Sequence, residues 1–84
     1  MKHTEAEITK AIIETVYEVT RISIQTEEIS LLDTQLDINP ADFLYIFDIL
    51  EKQFGFETKE ILENSNYDVM YIPNLSKAIM QLCQ

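Results

Sequence analysis

Residues 39–55 read Asn39-Pro40-Ala41-Asp42-Phe43-Leu44-Tyr45-Ile46-Phe47-Asp48-Ile49-Leu50-Glu51-Lys52-Gln53-Phe54-Gly55. This run decides the fold class. Asn39 is a good N-cap, because its side-chain oxygen can accept a backbone N–H that the first helical turn leaves without a partner. Pro40 suits the first helical position, where its missing N–H costs nothing. Asp42 favours the positive end of the helix dipole. Phe43, Ile46, Phe47, Leu50 and Phe54 fall at i, i+3, i+4, i+7 and i+11, one continuous apolar stripe. Gly55 supplies the left-handed residue that ends a helix, with Phe56 folding back on the last turn. The pattern predicts a helix over 40–54.

Upstream, Thr4-Glu5-Ala6-Glu7 fits a capping box, in which the Thr oxygen and the Glu carboxylate each accept the other's backbone N–H. Ile8, Ala11, Ile12, Thr15, Val16 and Val19 recur at helical spacing after it, which predicts a helix over 5–20. Between the two helices, residues 21–38 exceed the usual connection of about 4–6 residues and need packing of their own. Ile22-Ser23-Ile24 alternates like a short strand, and Ile29, Leu31, Leu32, Leu36 and Ile38 are apolar. We read an ordered loop whose aliphatic side chains plug the core, with one helical turn near Thr26–Leu31. Downstream, Thr58–Leu62 has partial helical character, Asn64-Ser65-Asn66 reads as a break, and Tyr67–Tyr71 as a short turn of helix. Pro73 permits a fresh start, with Leu75, Ala78, Ile79 and Leu82 at helical spacing over 73–82. With one Gly and two Pro in the chain, a sandwich or barrel rich in tight turns is disfavoured. The expected fold is an all-α bundle of three main helices plus a short one, with a long first loop, in a single domain spanning 1–84.

The charge narrows the function. Fifteen acidic against six basic side chains give a net charge of −9 in 84 residues. Such a surface repels phosphate backbones, so nucleic acid is an unsuitable partner and a basic protein surface a suitable one. The apolar runs fall short of the roughly 20 residues of a membrane span, and the first residues lack the apolar stretch of a signal peptide. A cytoplasmic monomer is expected. Cys83 is the one cysteine, which excludes an internal disulfide. His3 is the one histidine and is expected in a frayed terminus, so a Cys–His nucleophile pair would need two loose ends to meet. One glycine leaves no Gly-rich phosphate loop. Metal-ligand spacing of Cys and His is absent, and weak divalent binding by Asp37, Asp42 or Asp48 would be ordinary for an acidic surface. The chain reads as non-enzymatic.

Ile22-Ser23-Ile24-Gln25-Thr26-Glu27-Glu28-Ile29, Leu36-Asp37-Ile38-Asn39-Pro40-Ala41-Asp42-Phe43-Leu44, Leu50-Glu51-Lys52-Gln53-Phe54-Gly55 and Tyr71-Ile72-Pro73-Asn74-Leu75 occur in an order and spacing that resembles the acyl and peptidyl carrier proteins, the phosphopantetheine-binding family. The second stretch is similar to that family's Leu-Gly-x-Asp-Ser-Leu-Asp-x-hydrophobic signature. The resemblance covers nearly the whole chain and implies the same helical bundle. It departs from the family at the chemistry. Carriers attach phosphopantetheine to the signature serine; here Pro40 occupies that position, flanked by Asn39 and Ala41. Proline has no hydroxyl to form the phosphodiester, so no cofactor is expected, and Ser30, Ser65 and Ser76 lie outside a matching helix start.

The resemblance also implies that the outer face of the second helix docks basic partner enzymes. Asp42, Asp48 and Glu51 would supply charge, and Leu44, Tyr45 and Ile49 contact area, with Lys52 at the edge. Phe43 and Phe47 are expected to fill the region between second and third helix that opens to an acyl chain in carriers. The leading expectation is a carrier-like adaptor or docking module for a biosynthetic or peptide-maturation enzyme. The alternatives are a genuine acyl or peptidyl carrier with an unrecognised attachment site, and an unrelated acidic helical inhibitor or interaction protein.

Overall fold

Thr4 Oγ1 accepts the Glu7 N–H at 3.1 Å while the Glu7 carboxylate accepts the Thr4 N–H at 3.2 Å, so the first helix, α1 (Glu5–Thr20), begins on a complete capping box. These contacts come from a computed structural model that describes residues 3–63 and 66–83. With no glycine at its end, α1 closes on Arg21 in the left-handed conformation (φ 66°), whose N–H reaches the Tyr17 carbonyl at 2.7 Å. The second helix, α2 (Pro40–Phe54), starts with Asn39 Oδ1 accepting the Ala41 N–H at 2.9 Å and ends on Gly55 at φ 74°. A short α3 (Thr58–Glu63), a 3₁₀ helix (Tyr67–Met70) and α4 (Ile72–Cys83) follow. The expected break at Asn64-Ser65-Asn66 lies outside the described residues for Asn64 and Ser65. The last helix begins one residue before the expected start, with Pro73 in its first turn, where no N–H is needed.

α1 packs against both α2 and α4. Ile8, Ile12 and Val16 from α1, Ile46 and Leu50 from α2, and Leu75 and Ile79 from α4 are fully buried at their meeting point. The apolar stripe of α2 therefore faces inward as expected, except that Phe43 is only partly buried at the edge of the core. A polar bond sits among these apolar contacts: Thr9 and Ser76 join α1 to α4 through their hydroxyls at 2.7 Å, with Ser76 wholly inaccessible.

The expected helical turn at Thr26–Leu31 does not form. The backbone there finds a long-range partner instead: Leu31 N–H donates to the Met70 carbonyl at 2.8 Å, and Ile72 N–H to the Ile29 carbonyl at 2.9 Å, around a single antiparallel bridge between Ser30 and Tyr71. Two hydrogen bonds made across the fold satisfy groups that an isolated turn would leave largely to water. The loop does plug the core. Ile24 and Leu31 are buried, and Ile22, Ile29, Leu36 and Ile38 pack partly against it, but Leu32, expected with them, is exposed because its neighbour Leu31 takes the inward position. Among the described residues there is no extended strand; the molecule is an all-α bundle with a long first loop.

Candidate interaction site

The start of α2 presents Asn39, Pro40 and Ala41, all exposed, with no hydroxyl among them. The other described serines are occupied elsewhere. Ser76 is buried against Thr9. Ser30 Oγ accepts the Leu32 N–H at 3.1 Å, and exposed Ser23 accepts from Gln25 Nε2 at 3.0 Å.

The outer face of α2 carries the most exposed large apolar side chains of the described residues, Leu44 at 75 % and Tyr45 at 64 %. Asp48 and Lys52 are also exposed but neutralise each other at 3.0 Å, one turn apart. Asp42 is half-buried in the first turn. Two residues expected on this face do other work. Ile49 is half-buried and turns toward α1, where it lines a mixed groove with Ala11, Thr15 and Phe54. It sits 140° around the helix from Leu44 at ~100° per residue, so the two belong to opposite edges of the face rather than to one patch. Glu51 is not a free docking charge. Its carboxylate accepts the Thr58 N–H at 2.6 Å and so holds the first turn of α3. That bond keeps the Glu51 carboxyl below its ordinary value of 4.5. The Thr58 hydroxyl is buried beside it without hydrogen-bonding geometry, so the backbone N–H carries the interaction.

Between α2, α3, the 3₁₀ helix and the first loop lies an open apolar groove of about 490 Å³. Phe43, Phe47 and Met70 form its floor, and Leu32, Leu44 and Leu62 its rim. The expectation that the phenylalanine rings fill this region is corrected: Phe47 is committed to the core at 8 % exposure and half-buried Phe43 lies beside it in the floor, so room remains above them. Leu32, Leu44 and Leu62 are 46, 75 and 55 % exposed, unusual for leucines that converge on one depression. Leu62 and Met70 have no role in the sequence reading, and Leu32 is expected there to plug the core; each follows a buried apolar neighbour, Ile61, Val69 or Leu31, and only the fold brings the three beside α2.

His3 and Cys83 do not dangle. The His3 ring packs edge-on against Phe54 with centroids 4.9 Å apart, and its Nδ1 lies 3.7 Å from the Glu7 carboxylate. The Cys83 thiol donates to the Phe54 carbonyl at 3.1 Å, and burial pushes it above its ordinary value of 9.0. His3 and Cys83 thus both contact Phe54 of α2, and the thiol proton is directed to a carbonyl rather than to the imidazole. Asp37, Asp42 and Asp48 are not gathered into a metal-holding group, and among the described residues no such group of three or more His, Cys, Asp or Glu side chains exists. No helix of the described residues is long and apolar enough to cross a membrane. Comparison with family models, with curated proteins and with solved structures gives no match for this chain.

Proposed function

We propose that this chain is a carrier-protein-like, non-enzymatic adaptor. It uses the exposed side of α2 to dock the basic surface of a partner enzyme in the cytoplasm, and it carries no phosphopantetheine. The observation that carries the reading is the entry to α2. Pro40 is its first residue behind an Asn39 cap, which keeps the architecture of a carrier's attachment site without its nucleophile. A second feature supports the alignment with the carrier signature. Asp37 stands where that signature has glycine, and its backbone is left-handed at φ 50°, a conformation that glycine adopts freely and aspartate tolerates better than most residues.

Docking rather than catalysis accounts for the exposed leucine and tyrosine of α2 on a chain of net charge −9. A basic partner gains on-rate from the charge and contact area from Leu44 and Tyr45. The test is intact mass after incubation with coenzyme A and a broad-specificity phosphopantetheinyl transferase. The wild-type chain is expected to stay unmodified. The triple variant Asn39→Asp, Pro40→Ser, Ala41→Leu restores the Asp-Ser-Leu core of the signature, keeps a helix cap, and should fold at a cost of about 1 kcal/mol or less. It is expected to gain the arm at the introduced serine. Modification of the wild type at any serine would overturn the reading in favour of a true carrier.

A further inference from the structure

The apolar groove does not end at its own rim. Leu32 also borders a second depression of about 470 Å³, whose walls carry Asp33 and Asp68 on either side of the Ser30–Tyr71 bridge. Among the described residues neither carboxylate is in an ion pair: Asp33 Oδ1 accepts the Gln35 N–H at 2.8 Å, and Asp68 accepts through its backbone carbonyl, from Tyr71 N–H at 3.1 Å and from Asn74 Nδ2 at 2.9 Å. Lys77 of α4 shares a neighbouring depression with Asp68 but makes no ion pair with it, and Lys52 and Lys59 are paired with Asp48 and Glu57. A track joined through Leu32 therefore runs from a leucine-rimmed apolar floor to two carboxylates that form no ion pair with a described residue.

Resting on the docking reading above, we infer that this track seats one amphipathic, basic helix of the partner. Its large aliphatic or aromatic side chains at i, i+3 or i+4 enter the groove between α2 and α3, and its flanking Lys or Arg side chains reach Asp33 and Asp68. The groove volume lies within the ~300–1,000 Å³ of ordinary binding pockets, room for more than one side chain. The charge decides among occupants. A second copy of this chain also carries a net charge of −9 and so is disfavoured by like-charge repulsion. An uncharged chain would fill the groove but leave both carboxylates unanswered. A basic amphipathic helix satisfies both halves of the track. Anchoring on three elements and a loop also makes recognition depend on the assembled fold, not on α2 alone.

The experiment titrates the full ¹⁵N-labelled chain with a fluorescein-labelled helical peptide of leucines on one face and lysines on its flanks, beside a counterpart with glutamate for lysine. Binding is read by anisotropy and by amide shifts. The lysine peptide is expected to bind, more weakly as salt rises, with the largest shifts at Leu32, Leu44, Leu62 and Met70, while the glutamate peptide does not bind. Leu44→Gln with Leu62→Gln should weaken it about tenfold or more without changing the melting temperature, because both side chains are already exposed. Asp33→Asn with Asp68→Asn, which keeps the Asn oxygen available to Gln35 N–H, should flatten the salt dependence. Tyr17→Ser, on α1 and away from the track, should change nothing.

The inference is overturned by equal binding of the glutamate peptide, by shifts centred elsewhere, by an unaltered affinity in the leucine double variant, or by no binding at all. Self-association of the free chain that Leu44→Gln abolishes would assign the groove to a second copy, and tighter binding of decanoate than of the peptide would assign it to an alkyl chain; either result also overturns it. Binding lost in Tyr45→Ser but retained in the leucine and aspartate variants sinks the groove while the docking reading stands. Modification of the wild type by the transferase sinks that reading whatever the peptide does.

Discussion

Asp37 and Asn39 bracket the turn into α2, and each is chosen by backbone geometry. Asp37 holds φ 50°, where a side chain with a branched Cβ clashes with the backbone. Asp37→Gly is therefore expected to leave stability within about 0.5 kcal/mol, relief of strain offsetting the entropy of the unfolded chain, while Asp37→Val should cost about 1–2 kcal/mol. Urea denaturation of the two variants checks it, and equal stability would show that the left-handed turn is not needed. Asn39, two residues on, gives the first turn of α2 its acceptor. Asn39 and Pro40 start the helix with a side-chain acceptor and a residue that needs no N–H, and neither carries a hydroxyl.

Among the elements, α3 is the least self-sufficient. Its six residues are too few to be stable alone, and the Glu51 carboxylate from α2 holds its first N–H. This couples α3, one wall of the groove, to protonation. The Glu51 carboxyl is held below 4.5 in the fold, so the unfolded chain takes up a proton first as pH falls. The stabilisation is present in full above that ordinary value and is lost as pH drops through the lowered one. The Glu7 carboxyl, held down by the Thr4 N–H and hydroxyl, behaves in the same sense at the start of α1. Glu51→Gln should therefore be less stable than wild type at neutral pH, and the gap should close below pH 4.5. Thermal melts over that range test it; a constant gap would assign the effect to packing rather than to charge.

At the scale of the molecule, α2 serves two surfaces at once. Its inner face carries the stability. Phe47→Ala should cost about 3–5 kcal/mol, a large share of the total for a domain of this size. Its outer face is energetically idle in the isolated chain: Tyr45→Ser should stay within about 0.5 kcal/mol of wild type. Calorimetry of the pair separates the two roles, and a comparable loss in both variants would place Tyr45 in the interior. Ile49 lies between these extremes, half-buried against α1, so its truncation reports on the α1–α2 contact as much as on docking.

The helices were legible in the sequence because their causes are local. The Thr4–Glu7 box, the Asn39–Pro40 start, the Gly55 stop and the stripe from Ile46 to Phe54 all act within a few residues, through backbone hydrogen bonds and helical period. The missing hydroxyl at Pro40 was equally plain, since it is a matter of residue type. What only the tertiary structure decided lies wherever two distant segments compete with a local preference. The Thr26–Leu31 stretch gave up its turn for backbone bonds to residues 70 and 72. Glu51, expected on the outer face of α2, is taken up by Thr58, and Ile49 by α1. The groove is the clearest case. Its rim comes from residues 32, 44 and 62, whose sequence neighbours say nothing of one another, and its depth depends on how far the loop, α2 and α3 stand apart. Hydrophobic burial is non-directional, so an apolar pattern says which side chains seek cover, and only the packed fold determines which of them are left without it.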